Sequence, residues 1–529
     1  MSEIILALPV FLPIISGMVM LFCWSGKEEW SRKKELLIEG LVVANSLLVA
    51  AAMAGGVDGE RRLVVFRLYS ALTVMFKLDR MGSVFAGLVA FLWPLATLYA
   101  FEYMKHEERK STFFAFYTMT YGVTMGIALS GTLVTLYLFY EMLTLVTLPL
   151  VMFSLTVEAV RASRTYLYYS IGGAAFAFIG LVFVLGFSSI NTSEFVAGGI
   201  LDMTKAMPYR DVLLFVYVLA FFGFGVKAAL FPCYKWLPKA AVAPTPVTAL
   251  LHAVAVVKSG AFAILRLTYY SFGTQFLKGT WAQWFVMAAA LATIAFGSTM
   301  AVREVHWKRR LAYSTVSNLS YILFGAAVMS PWGLAAALCH LAAHAFMKIG
   351  AFFCAGAVMH QTGKTYIYEL DGLGKKMPVT FGCLTISSLS LMGIPLFAGF
   401  VSKWNLAMAA FDDGNWFSLV GVGVILYSAL MTGIYMMTVV VRAYFPRLAL
   451  AGTPGGSAGT ASGQAGALKP SSEAAGSGVK EAEQLQGSIT DPGWKMTVPL
   501  MIFAAAVLAI GLHSAPLVEF LMMIGGEAG

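Results

Sequence analysis

Apolar runs of about 20 residues recur along the whole chain and alternate with short polar stretches. A run of this length lets an α-helix cross the bilayer core, and the runs lack the apolar–polar alternation of membrane strands. The pattern therefore predicts an all-α polytopic membrane protein with no strands. We count fourteen spans, at 4–23, 36–56, 82–101, 113–130, 132–153, 165–188, 212–240, 247–269, 283–302, 312–329, 334–358, 379–411, 417–445 and 496–523.

Two of these runs are too long for one straight crossing. The run at 212–240 contains Pro232 and Pro238, and the run at 379–411 contains Pro395. Both are predicted to be helices broken within the membrane, with the breaks at Pro232 and Pro395. Broken helices usually line a pathway, because their freed backbone groups need protein or water as partners.

The composition supports a membrane protein: 59% of the 529 residues are apolar and only 12% are charged. The N-terminal run "IILALPVFLPIISGMVMLFCW" has no basic region before it and no small-residue cleavage site, so we interpret it as a first span and not a signal peptide. The five cysteines are too scattered for a metal cluster or haem attachment, which favours a packing role.

The net charge of +9 indicates orientation and not nucleic-acid binding. Basic clusters at 32–34, 109–110, 308–310 and 375–376 share one side of the predicted topology. The positive-inside rule makes that side cytoplasmic and places both termini on the outer face. Residues 446–495, rich in Gly, Ala and Ser, are predicted to be a flexible cytoplasmic linker.

Several charged residues fall inside the predicted spans: Glu141, Lys227, Lys258, Arg266, Lys348 and Lys403. Each central charge costs about 2.5–3.5 kcal/mol on insertion scales, so these groups must be paired, hydrated or neutral, and an ion pathway is their default interpretation. Snorkelling is the alternative for Lys227 and Lys403, and it is the preferred interpretation for Arg266 at the outer end of its span. A structural ion pair is the alternative for the central residues Glu141 and Lys258.

The segment "CHLAAHAFMKIG" places His340, His344 and Lys348 at i, i+4 and i+8, hence on one helix face. A lone buried His is usually a hydrogen-bonded core residue, but two with a Lys favour a proton relay, because His titrates near neutral pH. Zinc binding by the His pair would need further ligands on that face. His252 and Lys258 lie about 120° apart on a regular helix, so they share a path only if that helix is distorted or the path spirals.

These residues lie in segments that resemble a known family. The segments are "FYEMLTLVTLP", "GFGVKAALFPCYKWLPKAAVAPTPVTALLHAVAVVKSGAFAI", "KRRLAYSTVSNLSYI", "CHLAAHAFMKIGAFFCAG" and "GIPLFAGFVSKW". They resemble the antiporter-like subunits of respiratory complex I, Mrp-type cation/proton antiporters and the membrane arms of energy-converting hydrogenases. The combination is specific, whereas each fragment alone is weak.

The resemblance implies two inverted five-helix repeats, at 113–270 and 271–445, each forming an ion half-channel with one broken helix. Three helices at 1–112 would precede the repeats, and a last helix at 496–529 would follow the linker. It also implies a chain of charged residues along the membrane midplane, in the cell membrane of a prokaryote.

The resemblance also implies a role for each residue that matches one of the family's motifs. Glu141 matches the pair-forming glutamate and Lys227 its partner on the first broken helix, while Lys258 matches the central lysine. The remaining matches are His252, His340, His344 and Lys348 as connecting residues and Lys403 as the terminal residue on the second broken helix.

The sequence also departs from the family pattern. Relatives often read "WLPDAH" where this chain reads "WLPKAA", so Lys239 and Ala241 replace an acid and a histidine. Relatives also often carry Asp at the position of His306. Both changes remove acid from the predicted cytoplasmic side and leave the family's proton uptake route in question.

We therefore expect a proton- or sodium-translocating membrane subunit of a complex I-like redox complex. The Glu141–Lys227 pair would be a bistable switch that pushes a proton toward Lys258 when it opens. The chain has no cofactor motif, so iron–sulfur clusters or flavin are expected only in soluble redox partner subunits, beside further antiporter-like and small membrane subunits. The transported ion, the redox donor and acceptor, and the stoichiometry stay open.

Several alternatives remain at this point. The chain could belong to an Mrp-type antiporter or an inorganic-carbon uptake complex, neither with redox partners. It could also be a redox protein holding a quinone or metal, against which the scattered cysteines and the missing GxGxxG motif argue. A purely structural anchor is hard to reconcile with the cost of so many central charges.

Overall fold

A computed structural model of the chain describes residues 3–24, 30–55, 61–69, 72–188, 193–445 and 489–528. The chain is mostly helical, and eleven helical segments in these ranges are long and apolar enough to cross a membrane. The fourteen spans and the inverted repeats remain predictions. The predicted linker at 446–495 lies outside the described residues over 446–488.

The first half of the chain begins with a short 3₁₀ turn at Ile4–Leu6. It then contains α1 (Leu8–Cys23), α2 (Arg32–Ala54), β1 (Arg62–Tyr69), β2 (Leu72–Lys77), α3 (Arg80–Tyr103), α4 (Lys110–Ala128), α5 (Leu133–Val151), α6 (Val157–Gly186), α7 (Met203–Ala206), α8 (Arg210–Lys227), α9 (Trp236–Ala240), α10 (Thr245–Ala253) and α11 (Val256–Leu265). A π-helical segment, Arg266–Phe272, continues α11.

The second half has the following helices. They are α12 (Thr274–Leu277), α13 (Trp281–Arg303), α14 (Trp307–Val328), α15 (Pro331–Thr362), α16 (Leu373–Lys376), α17 (Pro378–Met392), α18 (Ala398–Asp413), α19 (Trp416–Tyr444), α20 (Trp494–Leu512) and α21 (Ala515–Ala528).

The antiparallel β1–β2 hairpin contradicts the all-α prediction. Its strands are only 8 and 6 residues long, so a search for membrane-length runs does not detect them. Lys77 anchors the hairpin, since its Nζ lies 2.5 Å from Glu194 Oε1. The correction is local, because the strands follow α2 and leave the membrane helices unchanged.

Helix interruptions lie beside the predicted site. Helix α8 ends at Lys227, and residues 228–235, which include Pro232, lead to the short helix α9. Pro238, the other proline of this run, lies inside α9. Pro395 lies in the interruption at 393–397, between α17 and α18.

A further interruption separates α10 from α11 at Val254 and Ala255. The carbonyl of Leu250 accepts from both Val254 N (3.0 Å) and Ala255 N (2.8 Å), which widens the turn. No proline marks this position, and the sequence predicted one continuous span at 247–269.

The helices differ greatly in burial. The most apolar stretch of the segment Thr245–Phe272 is fully buried, and those of α14 and α15 are 94% buried, against 39% for α6 and α19. The outer helices instead expose large apolar side chains, as expected where lipid is the solvent. The innermost helices α10, α11, α14 and α15 therefore form the axis that carries most of the predicted site.

Candidate functional site

Lys227 is the last residue of α8, where the helix dipole favours a positive charge. Its Nζ donates to the carbonyl of Tyr140, lies 3.4 Å from the centre of the Tyr140 ring, and is 3.8 Å from Glu141 Oε1. The Lys227 side chain is 1% exposed and that of Glu141 is 29% exposed. The predicted ion pair is present, with the ammonium held mainly by Tyr140 and at longer range by the carboxylate.

Gly260 sets the packing between α8 and the helix that carries the next lysine. A Cβ atom at Gly260 would lie 2.6 Å from Ala228 N and 3.0 Å from Lys227 C, so only glycine lets α11 pack directly on the end of α8. Lys258 lies two residues earlier on α11, about 200° around the helix, so its side chain leaves the helix away from this contact. No hydrogen bond between described residues joins the two lysines directly.

Lys258 and His344 form a direct contact across the innermost helices. Lys258 Nζ lies 2.8 Å from His344 Nδ1, and both side chains are fully buried. His344 faces His340 on α15, with ring centres 5.8 Å apart and an angle of 23° between the ring planes. The predicted common helix face of these two histidines thus points toward Lys258.

His340 continues the contacts toward the second helix interruption. Its Nδ1 lies 2.9 Å from Ser402 Oγ, and Ser402 precedes Lys403 on α18. Lys403 Nζ donates to the carbonyls of Leu391 (2.7 Å) and Met392 (3.0 Å) in the last turn of α17. Lys403 therefore contacts the negative end of the α17 dipole beside an interruption.

Lys348 and His252 lie beside this line of contacts and not on it. Lys348 Nζ donates to Ser314 Oγ at 2.6 Å, and the hydroxyl of Tyr435 donates to the same atom at 2.6 Å. Both ring nitrogens of His252 are buried without a hydrogen-bond partner among the described residues, and its ring packs on Phe352 with centres 4.9 Å apart. The α10–α11 interruption separates His252 from Lys258 and supplies the distortion that a shared path would require.

The sequence did not identify the hydroxyl groups in these contacts. Ser402, Ser314 and Tyr435 each bind a predicted site residue or a residue that does, but serine and tyrosine are common in apolar helices. The only feature of the sequence that pointed to Ser402 was its position beside Lys403. Ser314 and Tyr435 had no signal, because the contact between them joins residues 121 positions apart.

Arg266 does not snorkel, contrary to the prediction. Its guanidinium is fully buried and binds Asp79 in a bidentate pair, Nη1 to Oδ2 at 2.5 Å and Nη2 to Oδ1 at 2.7 Å. The aromatic rings of Phe195, Phe262 and Tyr270 surround it. Asp79 is the N-cap of α3, and its carboxylate also accepts a hydrogen bond from Gly82 N at 2.7 Å. This capping bond holds the carboxylate at the start of α3, where it neutralises the buried Arg266 charge.

The environment of Asp79 sets its ionisation. Burial alone would raise the pKa of the Asp79 carboxyl, but the adjacent Arg266 charge and the hydrogen bonds from Arg266 and Gly82 hold that pKa below its ordinary value. The carboxylate is therefore charged at neutral pH, as the bidentate geometry requires.

The chain matches two protein-family models. Residues 130–432 match the family described as "NADH:quinone oxidoreductase/Mrp antiporter, TM", and residues 69–114 match "NADH-Ubiquinone oxidoreductase (complex I), chain 5 N-terminus". The first match covers most of the site described above, from Glu141 to Lys403.

Relatives at about one-third identity come from two kinds of complex. The chain is 32% identical over 447 residues to an NADH-quinone oxidoreductase subunit of Desulforudis audaxviator, covering 83% of this chain and 87% of that protein. It is 31% identical over 408 residues to a probable K(+)/H(+) antiporter subunit of Rhizobium meliloti, covering 76% of this chain and 39% of that protein. It is 33% identical over 371 residues to a Na(+)/H(+) antiporter subunit of Alkalihalophilus pseudofirmus, covering 66% of this chain and 44% of that protein. The chain thus spans most of the first relative and less than half of the two antiporter proteins.

Solved structures share the fold at low sequence identity. A chain of the Mrp complex from Dietzia superposes with a TM-score of 0.80 at 22% identity, over 100% of this chain and 97% of that one. A chain of an archaeal membrane-bound sulfane sulfur reductase superposes with a TM-score of 0.78 at 22% identity, over 99% of this chain and 97% of that one. A chain of respiratory complex I from Thermus thermophilus superposes with a TM-score of 0.74 at 18% identity, over 99% of this chain and 100% of that one.

The apolar helices and the family matches make this a multi-pass membrane protein, and the chain belongs to the antiporter-like membrane subunit family of NADH:quinone oxidoreductases and Mrp antiporters.

Proposed function

We propose that this chain is an ion-translocating membrane subunit that moves protons along its midplane chain of Glu, Lys and His residues. The observation that carries the proposal is the line of buried contacts from Lys258 through His344 and His340 to Ser402, beside Lys403. Neutral imidazole can accept a proton at one nitrogen and release one at the other, which suits it to this position.

The Glu141–Lys227 pair is the proposed switch. When the carboxylate lies close, its charge stabilises the Lys227 ammonium. When the pair opens, desolvation disfavours the ammonium, and its proton passes toward Lys258 on the neighbouring helix. The 3.8 Å separation and the alternative acceptor at the Tyr140 carbonyl support a pair that can open without leaving Lys227 unpartnered.

The proposed order of transfer follows the direct contacts. Lys258, His344, His340 and Lys403 form the through-route of the proposal, with Ser402 beside the last lysine. Lys348 and His252 lie on a branch toward the predicted cytoplasmic side.

The energy for transport would come from partner proteins, because the proposed route consists only of groups that exchange protons. The first candidate is a redox-driven complex in which iron–sulfur clusters or flavin are bound by soluble partners and not by this chain. Coverage of 87% of the quinone oxidoreductase relative supports it. The second candidate is a cation/proton antiporter, supported by the match to the Mrp chain at TM-score 0.80. Purification of the native complex followed by identification of its subunits would separate the two.

The switch can be tested in the assembled complex in membrane vesicles. We expect Lys227→Ala and Glu141→Gln each to slow proton pumping by about tenfold or more, the scale of a lost acid–base group. Lys105→Ala, at an exposed lysine paired only with Glu102 among the described residues, is the matched control and should pump normally. Full pumping by both switch variants would refute the proposal.

A further inference from the structure

A cavity of about 770 Å³ lies where the ends of α6, α9, α13, α14 and α15 meet, on the side predicted to be cytoplasmic. Its charged lining consists of Arg161, Lys235, Lys239, Lys308 and Arg309 against Glu158 and Glu304. Coulomb repulsion from this lining disfavours metal cations, whereas a proton can be passed by the basic groups themselves.

The acidic residues of the cavity are poor candidates for collecting protons. Glu304 Oε1 accepts from Val305 N (3.1 Å) and His306 N (3.0 Å) and lies 3.5 Å from Arg309 Nε. Glu158 is exposed in the first turn of α6, at the outer part of the lining. Burial, followed by the charges of Arg309 and Lys308, lowers the pKa of His306, so its imidazole is neutral at pH 7.

Lys308 is the buried member of this lining. Only 8% of the residue is exposed, and its Nζ donates to the carbonyl of Ala243 at 2.8 Å. Lys308 lies in the first turn of α14, where the helix dipole disfavours a cation, so helix stability does not explain a lysine here.

A hydroxyl shares its carbonyl acceptor with Lys308. Thr248 Oγ1 donates to Ala243 O at 2.9 Å, so the hydroxyl and the ammonium converge on one oxygen. His252 lies one helical turn beyond Thr248 on α10, on the same face. Its ring and Lys348 Nζ both pack on Phe352, with distances to the ring centre of 4.9 and 6.0 Å.

We propose that Lys308 is the relay that takes protons from this cavity to His252 by way of Thr248. The Lys308 Nζ–H bond breaks as its proton moves to the Thr248 hydroxyl, which releases its own proton to an imidazole nitrogen of His252. A hydronium ion in the cavity then reprotonates the amine and leaves as water, so one proton enters from the cavity for each proton passed to His252. The route supplies the uptake branch where this chain lacks the acidic residues of its relatives, and it rests on the proposed function.

The competing role for Lys308 is a structural anchor for the Ala243 carbonyl, and three substitutions distinguish the two roles. Lys308→Arg keeps the charge and the donor but does not release a proton, and Lys308→Gln keeps a donor of similar length. Lys308→Ala leaves space that a small amine can fill. Pumping is measured with a pH-sensitive dye in vesicles containing the assembled complex, with Lys105→Gln as the exposed control.

For a relay, Lys308→Arg and Lys308→Gln should assemble and pump at least about tenfold more slowly, and methylamine should restore pumping to Lys308→Ala. Near-normal pumping by the Arg or Gln variant, or no rescue by methylamine, would overturn the relay. If the Lys308 variants do not assemble, Thr248→Val decides, since slow pumping supports the route and normal pumping refutes it. If the proposed function itself is wrong, Lys227→Ala pumps normally in the same assay. That result distinguishes failure of the proposed function from failure of the Lys308 relay alone.

Discussion

The lysines of the proposed pathway differ in what stabilises them. Lys403 binds carbonyls in the last turn of α17, beside an interruption. Lys227, the last residue of α8, binds the carbonyl of Tyr140 within α5. Both charged forms are therefore favoured by fixed dipoles. Lys258 and Lys348 instead bind the side chains of His344 and Ser314, which can rotate or change protonation. This contrast supports storage of charge at the two interruptions and transfer between them.

Arg266 illustrates the cost of a buried charge without a role in this chain of contacts. In Asp79→Asn the guanidinium loses its only described carboxylate partner while remaining fully buried. We expect a loss of about 3–5 kcal/mol in the free energy of unfolding, measured by thermal unfolding in detergent. Combining Asp79→Asn with Arg266→Met should recover much of that loss, and an undiminished stability of Asp79→Asn would contradict the assignment.

The same pair sets the direction of a pH effect. The pKa of Asp79 is lower in the folded than in the unfolded chain. The contribution of Asp79 to the free energy of unfolding is therefore fully present at pH values above its ordinary pKa of about 3.9. That contribution is lost as pH falls through the lower folded value. Asp79→Asn should therefore flatten the acid limb of the wild-type stability curve, measured by thermal unfolding as a function of pH, without changing its shape between about pH 6 and 8.

At the scale of elements, the pathway depends on close packing between α8 and α11. Both helices are interrupted near the site, and Gly260 sets the distance between them. The packing of α15 against α10, α14 and α18 then determines which histidine faces which lysine. Rigid helices position the groups, while the interruption between α17 and α18 leaves carbonyls free to bind Lys403.

Gly260→Ala should disturb this packing. The added Cβ would lie 2.6 Å from Ala228 N, so α8 and α11 must separate. We expect a stability loss of about 1–3 kcal/mol and slower pumping, measured by thermal unfolding and in the vesicle assay. Gly172→Ala on α6 is the matched control, because nothing lies within 4 Å of its added Cβ. It should pump normally and be at least as stable as the wild type, since alanine favours a helix more than glycine does. Equal behaviour of the two variants would show that the close approach is unimportant.

For the whole molecule, the charged side chains of the membrane helices lie mainly in the interior, whereas the outer helices expose large apolar side chains. This distribution inverts that of a soluble protein, because the bilayer solvates the surface and the interior must satisfy the charges. The predicted orientation of the molecule in the membrane rests on its basic loops, including those that line the cavity.

The predicted orientation can be tested with alkaline phosphatase, which needs disulfides and is therefore active only outside the cytoplasm. A fusion after residue 529 should be active, and a matched fusion after residue 450, which lacks only the last predicted span and its preceding linker, should be inactive. Activity in the reverse order would invert the predicted topology and place the cavity on the outer face.

The sequence by itself determined the membrane class, most helix positions and the charged residues of the site. Hydrophobic length and helical spacing are local properties, so the helices and the common face of His340 and His344 could be predicted from them. The hairpin was missed because its strands are too short for that signal.

Tertiary structure alone decided which groups meet. Lys258 and His344 are 86 residues apart, and Asp79 and Arg266 are 187 apart, so no local pattern could pair them. The interruption between α10 and α11 has no proline, and the bond from Lys308 to Ala243 depends on how α14 packs beside α10. Such contacts arise when the helices pack together, because burial then forces each polar group to find its partner in three dimensions.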